Sequence, residues 1–175
     1  MQKLSISFTI GKASQPNTTN IEHNNRDFIA KNIDGKRMRD NITFNSEEIE
    51  DVYHKLFDDA VNEYNANQKQ KCRRIKDYYE HICESKKTEP FYECIVQFGD
   101  KDTASCDSET GKICKEMLCE YAKEFQKRNP NLYVFNSVLH MDEATPHLHI
   151  DFIPFYNNKK KNGLSKGVSM KAALD

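Results

Sequence analysis

Leu4, Ile6 and Phe8 alternate with Lys3, Ser5, Ser7 and Thr9, which is the period of a half-buried strand. Over residues 11–45 no period holds. This polar stretch carries Pro16, Gly35 and seven Asn, and its length marks a functional loop rather than an ordinary connector. Asn45 with Glu48 three residues on resembles a capping pair, and Ile49, Val52, Tyr53, Leu56, Phe57, Ala60, Val61 and Tyr64 then recur at helical spacing as a core stripe. A second helix is expected over residues 72–83, with Ile75, Tyr78, Tyr79 and Ile82 on one side. Residues 91–98 read as a buried strand ending at Gly99-Asp100, and a third helix over residues 110–128 is stopped by Asn129-Pro130. Residues 132–141 and 146–155 are two strands separated by a few residues, which makes them an antiparallel hairpin. The pattern is that of an α+β domain, with a central, mostly antiparallel sheet and flanking helices. Its expected limits are residues 1–156; residues 157–175 read as a basic loop and the start of a truncated C-terminal extension, because residues 169–174 look like a helix cut off as it begins.

Composition narrows the class. A chain of 175 residues can bury most of its apolar surface in one domain. Its mean hydropathy of −0.84 is polar, but 8 Tyr and 10 Phe are too many aromatics for a disordered chain. No apolar run approaches the ~20 residues needed to span a bilayer, and the first residues do not form a signal-peptide core. The reading is a soluble, cytoplasmic protein without membrane contact. The six cysteines lie at uneven spacings with no Cys-x-x-Cys, which favours free thiols and argues against a cysteine zinc site. A net charge of −1 hides +3 over residues 1–45 and +4 over residues 155–175, against −8 between them. Two basic ends on an acidic body could meet as one positive face for a polyanion; from charge alone, Lys159, Lys160 and Lys161 are equally a solvated loop.

The chemistry concentrates in His140-Met141-Asp142-Glu143-Ala144-Thr145-Pro146-His147-Leu148-His149. On the second hairpin strand His147, His149 and Asp151 share one face, and on the first Val138, His140 and Asp142 do so. A turn centred on Ala144 and Thr145 would set His140 opposite His149 and Asp142 opposite His147, so that three imidazoles converge within reach of one ion. Single histidines on strands or helices are usually surface residues, and His54 and His81 take that reading. Three converging ones beside Asp142 and Glu143 point to a divalent metal site, with Glu143 as a fourth ligand or an orienting group. Imidazole and carboxylate donors suit Mn2+, Zn2+ or Mg2+ better than a thiolate metal, Mn2+ being the first expectation and Mg2+ the next, and three protein ligands leave positions for substrate.

The segment His140-x-Asp142-Glu143-x-x-Pro146-His147-x-His149 resembles the third motif of the MobV-type (Mob/Pre) plasmid mobilisation relaxases, a branch of the HUH endonucleases. His23-Asn24-Asn25-Arg26 is similar to the His-Asn-x-Arg first motif of that family, at a similar distance from the N-terminus. The resemblance implies metal-assisted cleavage of one DNA strand at an origin of transfer, on single-stranded or supercoiled DNA, with the protein left on the 5′ phosphate. It implies His140, His147 and His149 as metal ligands, His23 as nucleophile, and Arg26 and Glu143 as assisting catalytic groups. Many relatives carry a tyrosine after the asparagine of the next block; Asn41-Ile42 stands here, which favours His23. Candidate nucleic-acid contacts are Asn24, Arg26, Lys36, Arg37, Arg39, Lys159, Lys160 and Lys161. Dimerisation through a region beyond residue 175 is expected by analogy with relatives.

Three other readings compete. Cupin-like oxygenases place His-x-His before the remaining ligands, the reverse of the order here, and lack the strong helix over residues 49–64. A rolling-circle replication initiator would use a tyrosine, and Tyr78-Tyr79 fall on an apolar stripe where packing is their expected role. A non-catalytic, metal-stabilised DNA-binding module would use the histidines only to hold the hairpin.

Overall fold

In a computed structural model of the chain, residues 4–13, 21–27, 30–158 and 163–175 are described. Among them, five strands form an antiparallel path in the order β1-β3-β5-β4-β2: β1 (Ile6–Lys12), β2 (Ile42–Ser46), β3 (Tyr92–Phe98), β4 (Leu132–His140) and β5 (His147–Asn157). A sixth, β6 (Lys166–Val168), pairs with the end of β5. The α+β reading of the sequence therefore holds. No helix of the described residues is long and apolar enough to cross a membrane.

Register sorts the side chains of β5 onto two faces. Leu148, Ile150 and Phe152 lie across from Val96, Cys94 and Tyr92 of β3 and form one core with Leu118 and Phe125 of α4 (Glu109–Arg128). That helix starts where Ser108 accepts the Gly111 N–H at 2.9 Å. Gly111 is required there, since a Cβ would stand 2.0 Å from the Ser105 carbonyl oxygen. On the other face Ile153 joins Phe135 and the aromatic stripe of α2 (Ile49–Ala66), including Tyr53 and Phe57, with Tyr78 and Ile82 of α3 (Tyr78–Cys83). Two layers thus cover the central strands β3, β5 and β4, except for the half of the second face that carries His147, His149 and Asp151.

β4 contains a bulge between Val134 and Asn136. Before it, Leu132 and Val134 point to the α4 core; after it, Leu139 does so and Asn136, Val138 and His140 turn to the face of Asp151, His149 and His147. The extra residue reverses the alternation, and the buried Phe135 packs toward α2.

Several sequence expectations change. The stretch 11–45 contains β2 and a single turn of helix, α1 (Ile21–Asn24). Asn45 does not cap α2: it lies in β2, donates to the Val134 carbonyl at 2.9 Å, and leaves Glu48 at the N-cap. The second helix is shorter than expected because Asp77 accepts the Glu80 N–H and starts it at Tyr78. β1 forms, but Ile6, Phe8 and Ile10 are 71%, 53% and 51% exposed, since no helix of the described residues overlies this edge strand. The limit drawn at Tyr156 falls inside β5, and Ala173 of α5 (Met170–Leu174) is buried in the α4 core.

Candidate metal centre and reactive turn

His140 lies opposite His147, and Val138 opposite His149. The expected pairing of His140 with His149 and Asp142 with His147 is thus displaced by two residues, because Met141 to Pro146 form a longer turn outside the ladder. Convergence survives. The three imidazoles are buried, and one nitrogen from each lies within 4.8 Å of the other two.

Hydrogen bonds fix which nitrogens these are. His140 Nε2 is 2.8 Å from the Asn24 carbonyl and His147 Nδ1 is 2.8 Å from the Thr145 carbonyl; both oxygens only accept, so both nitrogens carry hydrogen. His149 Nδ1 donates to Glu93 Oε1 at 2.6 Å. The lone pairs left over sit on His140 Nδ1, His147 Nε2 and His149 Nε2. The first two face one another at 3.3 Å, and the third is buried with no partner among the described residues. Facing lone pairs repel unless a cation or proton lies between them, so this donor set fits a divalent ion held by three imidazoles whose far nitrogens are anchored from outside. Burial, followed by the neighbouring imidazoles, pushes His140 down to about 3 and His149 well below its ordinary value, so both stay neutral and able to donate lone pairs.

The reactive turn docks over this centre. Asp27 N bonds the Glu22 carbonyl at 2.8 Å and Arg26 N the His23 carbonyl at 3.1 Å, the pattern that closes a helix with a left-handed residue. Arg26 holds that position at φ 60°, where glycine is usual. Its guanidinium grips Asp142 through Nε at 2.9 Å and Nη2 at 2.6 Å, reaches Glu143 Oε1 at 2.9 Å, and sets Nη1 3.1 Å from His23 Nε2. His23 Nε2 is also 3.4 Å from Glu143 Oε1. The His23 ring lies 5.9 Å from that of His140 and 6.2 Å from that of His149. His23, His140 and Glu143 form a second set that could hold an ion. Burial opposes ionisation of Asp142 and Glu143, but it is outweighed at Asp142 by Arg26 with Asn41 and at Glu143 by His147 with Arg26. Both carboxyls stay below their ordinary values.

Some expected DNA contacts are placed differently. Asn24 is 1% exposed: its Nδ2 donates to Glu93 Oε1 at 2.8 Å and Asp151 Oδ2 at 3.2 Å, so it is part of the buried support and not a surface contact. Arg26 is likewise occupied, with its side chain 6% exposed, which removes it as a free phosphate clamp. Arg37 pairs with Asp34 and Asp107, while Lys36 and Arg39 are exposed. Lys159, Lys160 and Lys161 lie outside the described residues. Glu93 and the anchoring role of Asn41, whose amide bonds Asp142 Oδ2 and Met141 N at 2.7 Å each, were not foreseen. A carboxylate amid the apolar run of β3 was the available signal for Glu93.

An antiparallel sheet presents His-x-His from its central strand and a third histidine from the neighbouring strand, the site of a metal-dependent endonuclease domain. The sequence pattern of the plasmid recombination enzyme family, Mob_Pre, matches residues 20–172, and the chain belongs to that family. Two solved structures of the MobM relaxase domain, Mn-bound and in complex with plasmid pMV158 oriT DNA, are similar to it. One, at pH 5.5, has 22% identity over 98% of this chain and 76% of its own, with a TM-score of 0.55. The other, at pH 4.6, has 25% identity over 99% and 78%, with a TM-score of 0.51. No curated protein matches the chain.

Proposed function

We propose that this chain is a relaxase that nicks one strand at an origin of transfer and holds the 5′ end on His23. The observation that carries the reading is the His23 imidazole placed against the three-histidine centre by Arg26 and Glu143. His140, His147 and His149 would hold Mn2+, which would supply charge neutralisation at the phosphate and at the departing oxygen. His23 Nε2 attacks phosphorus as its lone pair is released from Arg26. The N–P bond forms as the P–O3′ bond breaks; the imidazole Nδ1 proton is lost to solvent and the 3′ oxygen takes up a proton. Because the phosphoramidate retains bond energy, a 3′ hydroxyl can reverse the attack and rejoin the strand. Arg26 holds His23 at both ends, with Nη1 3.1 Å from His23 Nε2 and 3.0 Å from its backbone carbonyl. Lys36 and Arg39, exposed on the stretch whose Asp34 N–H bonds the Asp142 carbonyl at 2.7 Å, contribute phosphate contacts.

The test is incubation with a fluorescent single strand carrying the cognate origin and Mn2+, followed by a denaturing gel. The wild-type protein should give a covalent adduct that His23→Ala abolishes and the double change Tyr78→Phe with Tyr79→Phe leaves intact. Loss of the adduct only in the tyrosine variant would move the nucleophile; tight origin binding with no adduct under Mn2+ or Mg2+ would leave a DNA-binding module.

A further inference from the structure

Beneath the triad lies a buried acidic pair. Glu93 of β3 and Asp151 of β5 are register partners on the site face, 2% and 0% exposed. Two carboxylates this close repel in a poorly hydrated interior unless donors separate them. Among the described residues, side-chain amides from two sources do so: Asn136 Nδ2 reaches Asp151 Oδ2 at 2.9 Å, and Asn24 Nδ2 reaches both Glu93 Oε1 and Asp151 Oδ2. The Glu93 oxygen bound by Asn24 is the one that accepts from His149 Nδ1. The same residue holds His140 Nε2 through its backbone carbonyl. Asn24 is therefore bonded directly to one metal-binding histidine, through Glu93 to a second, and covalently to His23.

We infer that Asn24 is a positioning residue that locks the reactive turn to the metal centre, so that the orientation of His140 and His149 and the placement of His23 depend on one amide. The inference rests on the relaxase reading for the role of His23, but its metal limb stands apart from that reading. Asn24 touches no reacting atom. It places donors and acceptors so that His23 meets a centre whose ligands already present the correct nitrogen.

Asn24→Asp keeps the shape and the backbone carbonyl but exchanges the donor for a third acceptor among carboxylates. Asn24→Asp with Asp151→Asn moves the amide to the strand side of the same gap and restores one donor between the pair. Mn2+ affinity is measured by calorimetry on the metal-free protein, with circular dichroism reporting the fold, and the adduct yield is read on the cognate strand. Asn24→Asp should weaken Mn2+ binding about 10- to 100-fold and lower the adduct rate at saturating Mn2+, and the double variant should recover most of both. Unchanged Mn2+ affinity in folded Asn24→Asp overturns the inference. So does a double variant that recovers the fold but neither affinity nor rate, because a donor restored between positions 93 and 151 would then not be what orients the ligands. If Asn24→Asp does not fold, the double variant alone decides: wild-type-like affinity supports the inference, and a folded protein with lost affinity overturns it. Should the wild-type protein form no adduct on its origin, the relaxase reading fails while the affinities still decide the metal limb.

Discussion

The two ends of one face of β5 are built on opposite principles. At one end Ile153 meets Phe135 and the aromatic stripe of α2 and α3, and apolar area removed from water holds the contact. At the other, His147, His149 and Asp151 meet Thr145, Glu93, Asn24 and Asn136, and nearly every bond answers a polar group that would otherwise be buried alone. The difference teaches that the backbone of a strand is indifferent to chemistry. The apolar half stands without help, whereas the polar half keeps three lone pairs aimed at one point and is complete only with a cation.

The sharpest way to break this contrast is a pair of changes at adjacent residues that face opposite ways. His149→Ala should lower Mn2+ affinity by at least about 100-fold, beyond the effect expected for an outer partner, and abolish the adduct while the fold persists. Ile150→Ala, which empties part of the α4 core, should cost about 2–5 kcal/mol of stability and leave Mn2+ affinity of the folded protein unchanged. Calorimetry and denaturant titration on both variants check this; equal losses of affinity would erase the distinction. Next in size is the effect of the ion on stability. Mn2+ at about 100 times its dissociation constant should add about 2.7 kcal/mol, a rise in Tm of roughly 5–10 °C for a domain of this size. Chelation should reverse the rise and His140→Ala should prevent it, whereas a rise surviving in that variant would place the ion elsewhere. The smallest effect belongs to His54 on α2, an exposed imidazole 3.0 Å from Asp58. The bond to Asp58 raises its folded-state value above the ordinary 6.5. Its contribution is therefore fully present below about pH 6.5, where the unfolded histidine is also charged, and is lost as pH rises through the elevated value. Being exposed, it is worth at most about 0.5 kcal/mol. His54→Gln should remove that slope from stability measured between pH 5 and 8 (about the range in which histidine titrates) without touching Mn2+ binding.

Much of the design was legible before any coordinates. The stripe from Ile49 to Tyr64 had a single helical solution, and His-x-His on an alternating strand forces both rings to one face. Three things were hidden, each for a physical reason. β2 was unreadable because its alternation spans only Ile42 to Asn45, too few residues to stand out from a polar stretch, and its order comes from pairing with β4 across a register shift. The displaced His140 register arises from a turn whose geometry is set by Asn41 and Arg26 holding Asp142, contacts that are distant in sequence. Asn24 looked like a surface contact because asparagine is usually exposed; only the carboxylates of two separate strands make it a buried one.

The bulge at Phe135 has a consequence for how this gene can vary. β4 runs in two phases, out of step by one residue, and the second phase brings His140 to the metal face. Deleting a single residue between the bulge and His140 would shift the frame of everything after it, sending an imidazole into the α4 core and a leucine toward the scissile phosphate. Conservative substitutions along β4 should therefore be far better tolerated than one-residue insertions or deletions, and a library scoring both classes across Leu132–His140 would show that the position of the histidine is encoded by counting as much as by chemistry.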